Sequence, residues 1–227
     1  MHPTLETSWP FLVLVSVLSM GFTLFRPTKP LSVKVNDPAW WMQLGLPLYM
    51  LHQFEEYGVD LKGRHFRFQE TLCGNLGFPS LPSCPIKPWH ATYVNLLLVS
   101  LSALRARRAG SLPSAGANFY GVVLINRLFH LAMAVHAAQE DGKEVYNPGL
   151  ATAVFLFLPC AVMALQCLHR HRLLSTAGVV RSIAVGVAVH AGLFSGLILR
   201  SRGKMGDAAF VLWELADWTV PLTLGWP

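Results

Sequence analysis

Seven stretches of the chain are almost entirely apolar, and shorter polar segments separate them. A helix needs about 20 apolar residues to cross the hydrocarbon core of a bilayer, so stretches of this length indicate membrane spans. The pattern predicts an all-α fold, a polytopic membrane helix bundle with about seven transmembrane helices. The stretches cover roughly residues 8–25, 40–57, 90–105, 117–138, 149–168, 177–199 and 208–225.

Helix-start signals precede several of these stretches. Asp37 and Asn147 each stand directly before a proline, and so offer a capping side chain ahead of a residue that suits a helix's first turn. Pro88 opens the third stretch, and Ser175 can cap the sixth. The third stretch gives the weakest signal, because it is short and runs into a cluster of arginines.

Composition supports a membrane protein. The chain has 227 residues, of which 53% are hydrophobic and 13% charged, whereas soluble domains carry about 25% charged residues. We expect one integral membrane domain over residues 1–227, with a long extramembrane loop at 58–88. The first ten residues contain no Lys or Arg and include Glu6. An uncleaved first helix is therefore favoured over a signal peptide.

The charge distribution excludes one class of partner and leaves the orientation open. The net charge is +6, but the basic residues are scattered through short loops and form no stripe or aromatic platform. We therefore expect no nucleic acid partner. With seven spans, the basic loop residues divide evenly between the two sides of the membrane, so the positive-inside rule assigns no orientation.

The cysteines leave two possibilities for the compartment. Cys73 and Cys84 flank the Pro- and Gly-rich segment GNLGFPSLPS. A bridge between them implies an oxidising lumen or exterior, which favours the endoplasmic reticulum or plasma membrane, whereas free thiols imply a reducing compartment. Cys160 and Cys167 lie in the fifth stretch and suit apolar packing.

Ionisable and amide side chains concentrate in one layer of the predicted bundle. An ionisable group inside a membrane costs at least about 2.5 kcal/mol, so such groups usually face a cavity, one another or a functional site. If the chain has seven spans, five helices place these groups in the half of the membrane nearer the N-terminus. They are His52, Glu55, Glu56, His90, Asn95, Asn126, Arg127, His130, His136, His190, Glu214 and Asp217.

Helical spacing predicts which of these side chains face together. His52, Glu55 and Glu56 stand at i, i+3 and i+4, so they share one face, and Glu214 and Asp217 stand at i, i+3. Glu55 and Glu56 are about 100° apart on a helix, so at most one of them can point fully at a common centre. We expect this to be Glu56, because it is four residues from His52.

Each group also has a purely structural interpretation. The segment LHQFEEY can be a solvated helix end, and His190 can be a packing histidine whose hydrogen bonds are satisfied. Glu214 and Asp217 can form a structural ion pair, for instance with Arg127. The sequence leaves these interpretations open.

Two blocks of sequence resemble the HXXEE-motif family of membrane proteins. The first is HQFEEY, and the second is NRLFHLAMAVHAAQEDGKEVYNPG with the apolar helix that follows it. The resemblance covers about residues 40–168 and leaves the last two spans unmatched. The family is largely without an assigned activity, so the resemblance implies a set of polar residues and no reaction. That set is His52, Glu55, Glu56, Asn126 and His130.

The first functional hypothesis is a membrane-embedded enzyme that acts on an isoprenoid- or lipid-like substrate. Its chemistry is either metal-free acid/base catalysis or assistance by a divalent metal, iron or zinc. The spacing matches neither the Glu-x-x-His pairs of di-iron bundles nor the His-Glu-x-x-His of zincins. The catalytic candidates are His52, Glu55, Glu56, Asn126, His130, Glu214 and Asp217. The candidate metal ligands are His52, Glu56, His130 and His190.

The second hypothesis is non-enzymatic: a subunit of a larger membrane complex, or a small ion- or proton-coupled transporter. Buried ionisable groups also form ion paths, but no internal repeat typical of many transporters is visible. The expected partners are the lipid bilayer and a lipophilic small molecule, with membrane-complex partners under the second hypothesis. If there is one polar centre, we expect His52, Glu56, His130 and Glu214 to meet at a common point.

Overall fold

The computed structural model describes residues 5–99, 113–140, 142 and 144–223. These residues are mainly helical and contain no β-strand, which confirms the all-α class. The α-helices are α1 Leu5–Phe25, α2 Leu31–Lys34, α3 Pro38–Gln53, α4 Arg67–Asn75, α5 Pro88–Ala91, α6 Pro113–Ala138, α7 Leu150–Thr152, α8 Leu158–Arg170, α9 Thr176–Ser201 and α10 Asp207–Thr223. The π-helical segments are Phe54–Gly58, Thr92–Val99 and Ala153–Phe157, and a 3-10 turn covers Leu81–Ser83.

Within the described residues, four helices are long and apolar enough to cross a membrane, judged by length and composition. They are Ser8–Phe25, Ala115–Ala138, Leu150–Arg170 and Thr176–Ser201. The predicted count of seven is not confirmed. The α-helical part of the second stretch, α3, has 16 residues, and α10 has 17. The end of the third stretch, 100–105, lies outside the described residues.

Three of the predicted helix starts are confirmed, and one is wrong. The Asp37 side chain accepts from the Ala39 amide at 2.9 Å, that of Ser175 accepts from the Gly178 amide at 3.0 Å, and α5 begins at Pro88. Asn147 does not cap the helix that follows it. Gly149 takes the N-cap position of α7, because the Asn147 side chain is engaged by another helix.

Close contact between backbones fixes α6 against α9. A Cβ atom built on Gly121 of α6 would lie 1.9 Å from the Ser182 carbonyl oxygen, and one on Gly186 of α9 would lie 2.4 Å from the Gly121 carbonyl oxygen. Only glycine permits this approach. Tyr120, next to Gly121, donates a 2.5 Å hydrogen bond to the Trp41 carbonyl and so ties α6 to α3.

The segment between α3 and α5 contains its own helix and a disulfide. Cys73 on α4 is bonded to Cys84, just after the 3-10 turn, and both are buried. The bridged form, one of the two forms that the sequence left open, is therefore the one in the structure. Gln69 of α4 donates a 2.7 Å hydrogen bond to the Ile86 carbonyl, which ties α4 to the residues just before α5.

Candidate metal centre

Three buried side chains from two helices meet at one point. His52 lies in the last turn of α3, Glu56 lies in the π-helical segment that continues it, and His130 lies on α6. Glu56 Oε1 is 3.1 Å from His130 Nε2 and 3.4 Å from His52 Nε2. One ligand atom from each residue lies within 4.8 Å of the others. We call His52, Glu56 and His130 the three-residue cluster.

Hydrogen bonds to Asn147 set the tautomer of His130. The Asn147 amide nitrogen donates to the His130 carbonyl at 3.0 Å, which identifies the other amide atom as the oxygen. That oxygen lies 2.7 Å from His130 Nδ1, so Nδ1 carries the hydrogen and donates. In the neutral ring, Nε2 then presents its lone pair to Glu56.

Thr152 sets the tautomer of His52 in the same way. The Thr152 hydroxyl donates to an acceptor, either Glu55 Oε2 at 2.5 Å or the Gly149 carbonyl at 3.1 Å. Its oxygen, 2.8 Å from His52 Nδ1, therefore accepts from the ring. His52 Nε2 is left with a lone pair and has no hydrogen-bond partner among the described residues.

The cluster therefore brings together acceptor atoms that need a cation between them. Two imidazole lone pairs face one carboxylate oxygen, and no Lys or Arg of the described residues pairs with Glu56. Gln53 donates to Glu56 Oε2 at 2.9 Å, which leaves Oε1 for the cluster. Either a metal ion or a shared proton can supply the positive charge. Histidines that ligate metals have their second nitrogen bonded in this way.

Glu55 does not enter the cluster but binds the chain that supports it. Its carboxylate accepts from the Ala151 amide at 3.1 Å, the Thr152 amide at 2.8 Å and the Tyr146 hydroxyl at 2.8 Å. These amides belong to the first turn of α7, where they have no intrahelical partner and favour a negative charge. Burial, with a smaller contribution from Glu55, raises the pKa of Tyr146, so its hydroxyl remains a donor.

Gly149 closes over the cluster. Its φ of 90° lies in the left-handed region, and a Cβ atom there would lie 2.6 Å from His130 Cε1, 2.8 Å from Glu56 Cγ and 2.9 Å from His52 Cε1. The backbone therefore touches all three members of the cluster at a distance that excludes any side chain.

A cavity borders the cluster on the side of Glu56 and His130. It has an empty volume of about 790 Å³, including its open mouth. The lining is mostly apolar and includes Phe68, Leu72, Phe129, Leu193, Phe194 and Phe210. Its polar side chains, apart from the cluster, are Tyr57, Gln69, His90, Asn95, Asn126 and His190. The segment between α3 and α5 supplies part of the wall, through Phe68, Gln69 and Leu72 of α4 and through Ile86.

His190 lies outside the three-residue cluster. Its Nδ1 donates to the Gly186 carbonyl one turn earlier, at 2.8 Å, and its ring stacks on Phe129 with centroids 5.1 Å apart. The predicted ligand set of His52, Glu56, His130 and His190 is thus reduced to the three-residue cluster. Asn126, one turn before His130 on α6, lines the cavity.

Glu214 and Asp217 lie on the last helix, α10. Both face α9, where a Cβ atom on Gly196 would lie 2.7 Å from Glu214 Oε1 and one on Gly192 would lie 2.0 Å from Asp217 Oδ1. Glu214 is not among the grouped ligand atoms, so the structure does not bring it into the cluster as predicted. Within the described residues, neither acid forms an ion pair with Arg127.

The supporting residues were largely missed by sequence reasoning. The sequence pattern predicts Asn147 as a helix cap, whereas in the structure Asn147 accepts from His130. Its neighbour Tyr146 donates to Glu55, and Gly149 packs against the cluster. The sequence does not indicate a role for Thr152, because it stands among apolar residues like any other threonine in an apolar helix.

Comparison with known families places the chain in one of them. A family model described as "Protein of unknown function with HXXEE motif" matches residues 43–164. The chain belongs to the HXXEE-motif family. This match confirms the resemblance seen in the sequence and covers more than half of the chain. The comparisons found no matching curated protein and no matching solved structure. The matched region of the HXXEE-motif family contains the whole three-residue cluster and its supporting residues, whereas His190, Glu214 and Asp217 lie outside it.

Proposed function

We propose that this HXXEE-motif protein is a membrane-embedded enzyme that holds one divalent metal ion and acts on a lipophilic substrate. The observation that carries the proposal is the convergence of His52 Nε2, His130 Nε2 and Glu56 Oε1, while the other ring nitrogen of each histidine and the other oxygen of Glu56 are already hydrogen-bonded. A site built this way presents three ligand atoms and no donor.

The three ligand atoms suit iron or zinc. Two histidines and one carboxylate form catalytic zinc sites, which keep a fourth position for water or substrate, and the same set holds non-haem iron with open positions. Such a metal polarises a substrate oxygen or activates a bound water. The protein's own contribution is to fix both rings through Asn147 and Thr152 and to keep Glu56 aimed by Gln53.

Membrane embedding is supported by the apolar side chains that the structure leaves uncovered. On α1, Val15 is 67% exposed and Phe22 is 76% exposed, and Phe155 is 76% exposed beside α8. Large apolar surfaces of this kind suit contact with lipid. We propose a bundle of about seven spans, with the N-terminus and the 58–88 segment on one side. The disulfide supports an oxidising lumen or exterior for that side, hence the endoplasmic reticulum or plasma membrane.

The lipophilic substrate is inferred from the cavity. Phe129, Leu193 and Phe210 from three different helices line the space next to Glu56 and His130. Pockets lined mainly by apolar side chains with a few polar ones bind mostly apolar molecules. A hydrocarbon chain in this cavity would place its reacting carbon beside the cluster.

Metal analysis of the purified protein tests the proposal. After expression with added iron and zinc, we expect about one metal ion per chain in wild-type protein by elemental mass spectrometry. The variants His52→Ala and His130→Ala should lose the metal. The matched control is His136→Ala, because His136 lies on α6 like His130 but is exposed and pairs with Glu140 outside the three-residue cluster. Wild-type protein that binds neither metal on titration would overturn the proposal.

A metal-free acid/base centre is the second candidate, and the 3.1 Å distance between His130 Nε2 and Glu56 Oε1 favours it. A single proton between these atoms would satisfy both, and the pair could then exchange that proton with a substrate. The two candidates predict opposite responses to chelation. With a metal, chelators lower the melting temperature and the activity, whereas with a proton-bridged centre both should stay unchanged.

A further inference from the structure

Asn126 and His190 line the cavity and belong neither to the three-residue cluster nor to its supports. Asn126 Oδ1 is buried and has no hydrogen-bond partner in the described part of the chain. His190 donates through Nδ1 to the Gly186 carbonyl at 2.8 Å, so in the neutral ring its Nε2 carries a lone pair that can accept a hydrogen bond. Both side chains line the cavity beside Glu56 and His130.

The position of these two groups is defined by the helices that carry them. Asn126 stands four residues before His130 on α6, so the two share a face and are separated by about 6 Å along the axis. Asn126 and His190 also line a smaller neighbouring cavity of about 320 Å³, so they sit where the two spaces meet. The nearby Asn95 is already occupied, because its oxygen accepts from the Tyr49 hydroxyl at 2.6 Å.

We infer that Asn126 and His190 bind the hydroxyl group of a lipophilic alcohol, which rests on the proposed function and names its substrate class. Two acceptor atoms require a donor, and a hydroxyl can donate to one of them while its oxygen accepts from the Asn126 amide nitrogen. Ethers, ketones and esters have no hydrogen to donate, and a carboxylate would face the His190 lone pair without a cation. The hydrocarbon part then lies along Phe129, Phe194 and Leu193.

A pair of isomers tests the inference directly. Octan-1-ol and 1-methoxyheptane have the same atoms and nearly the same length, but only the alcohol can donate. We would measure their affinities for wild-type protein in lipid nanodiscs, with empty nanodiscs subtracted. We expect the alcohol to bind at least about tenfold more tightly, since one lost hydrogen bond with unpaired acceptors costs about that factor. Equal affinities, as expected if water fills the site, would overturn the inference.

Two variants locate the preference. Asn126→Leu replaces an amide by an apolar group of similar size, and His190→Phe keeps a ring against Phe129 while removing the acceptor. Each should reduce the preference for the alcohol, and the control His136→Phe should retain it. A preference that persists in both variants would place the hydroxyl elsewhere and refute the assignment.

The same samples separate this inference from the proposed function. Metal content and alcohol preference are measured on wild-type protein and on His52→Ala. If the wild-type protein prefers the alcohol but holds no metal, the metal centre fails and the hydroxyl site stands. If it holds metal but binds both isomers equally, the hydroxyl site alone fails.

Discussion

Replacing Gly149 by alanine should distort the three-residue cluster although none of its three residues is itself substituted. The new methyl group would lie 2.6 Å from His130 Cε1, 2.8 Å from Glu56 Cγ and 2.9 Å from His52 Cε1. Carbon atoms at van der Waals contact are about 3.5–4.0 Å apart, so each side chain must move by up to about 1 Å. The ligand atoms then no longer share one point, since a metal site tolerates only about 0.2 Å of error in its distances.

The magnitude has two parts. A non-glycine residue in the left-handed region costs roughly 1–2 kcal/mol, which appears as a loss of unfolding free energy. Displacement of the ligands adds a loss of metal affinity of about 10- to 100-fold, the range seen when groups that orient ligands are changed. Gly77→Ala separates the two parts, because Gly77 has a φ of 87° and nothing within 4 Å of a built Cβ atom.

The assay combines thermal unfolding with metal competition against a chelator of known affinity. We expect both alanine variants to lose similar stability when metal-free, and only Gly149→Ala to lose metal affinity. If Gly149→Ala binds metal as wild-type protein does, the three side chains do not converge beneath Gly149. Equal losses of affinity in both variants would equally refute the reasoning, because they would trace the effect to backbone strain alone.

Three further predictions follow from the surroundings of the cluster. Glu56→Gln should abolish metal binding, as measured by elemental analysis. Glu55→Gln should mainly lower the free energy of unfolding, by about 1 kcal/mol for a weakened cap, as measured by denaturation. Loss of metal in Glu55→Gln but not in Glu56→Gln would contradict this assignment. Thr152→Val keeps the shape but frees His52 Nδ1, so metal affinity should fall about tenfold or more in the same chelator competition. The Arg64 hydrogen bond holds the pKa of Glu144 below its ordinary value of 4.5, so its contribution to stability is present at neutral pH and is lost as pH falls through the lowered pKa. Melting curves of Glu144→Gln should therefore show a smaller loss than wild type between about pH 5 and pH 3, and identical slopes would show that the ion pair contributes nothing.

Local spacing predicted part of the site correctly. The four-residue separation of His52 and Glu56 placed them on one face, and the structure brings their side chains together. The resemblance to the HXXEE-motif family singled out His130 as well. Asn147 and Thr152 could not be found this way, because each contacts its histidine only through the tertiary fold, 17 and 100 residues away along the chain.

The prediction for Glu214 failed for a different reason. Counting residues along a span predicts depth but not the direction in which a side chain points around the bundle. Gly192 and Gly196 leave room on α9 into which the acids of α10 fit, and hydrophobicity gives no sign of this. The same limitation applies to His190, whose bond to the Gly186 carbonyl depends on a ring orientation that spacing does not define.

The geometry of the cluster and its cavity depends on the number of residues in the three π-helical segments. One carries Glu56, another follows Thr152 directly, and the third carries Asn95 of the cavity wall. A π-helical turn holds an additional residue compared with an α-helical turn, and such turns are frequent at functional sites. Deleting one residue from Phe54–Gly58 would let the helix become regularly α-helical, but would rotate the residues on one side of the deletion by about 100° relative to those on the other. In this segment we therefore expect a single-residue deletion to be more damaging than a substitution away from Glu56, because the deletion would separate His52 from Glu56.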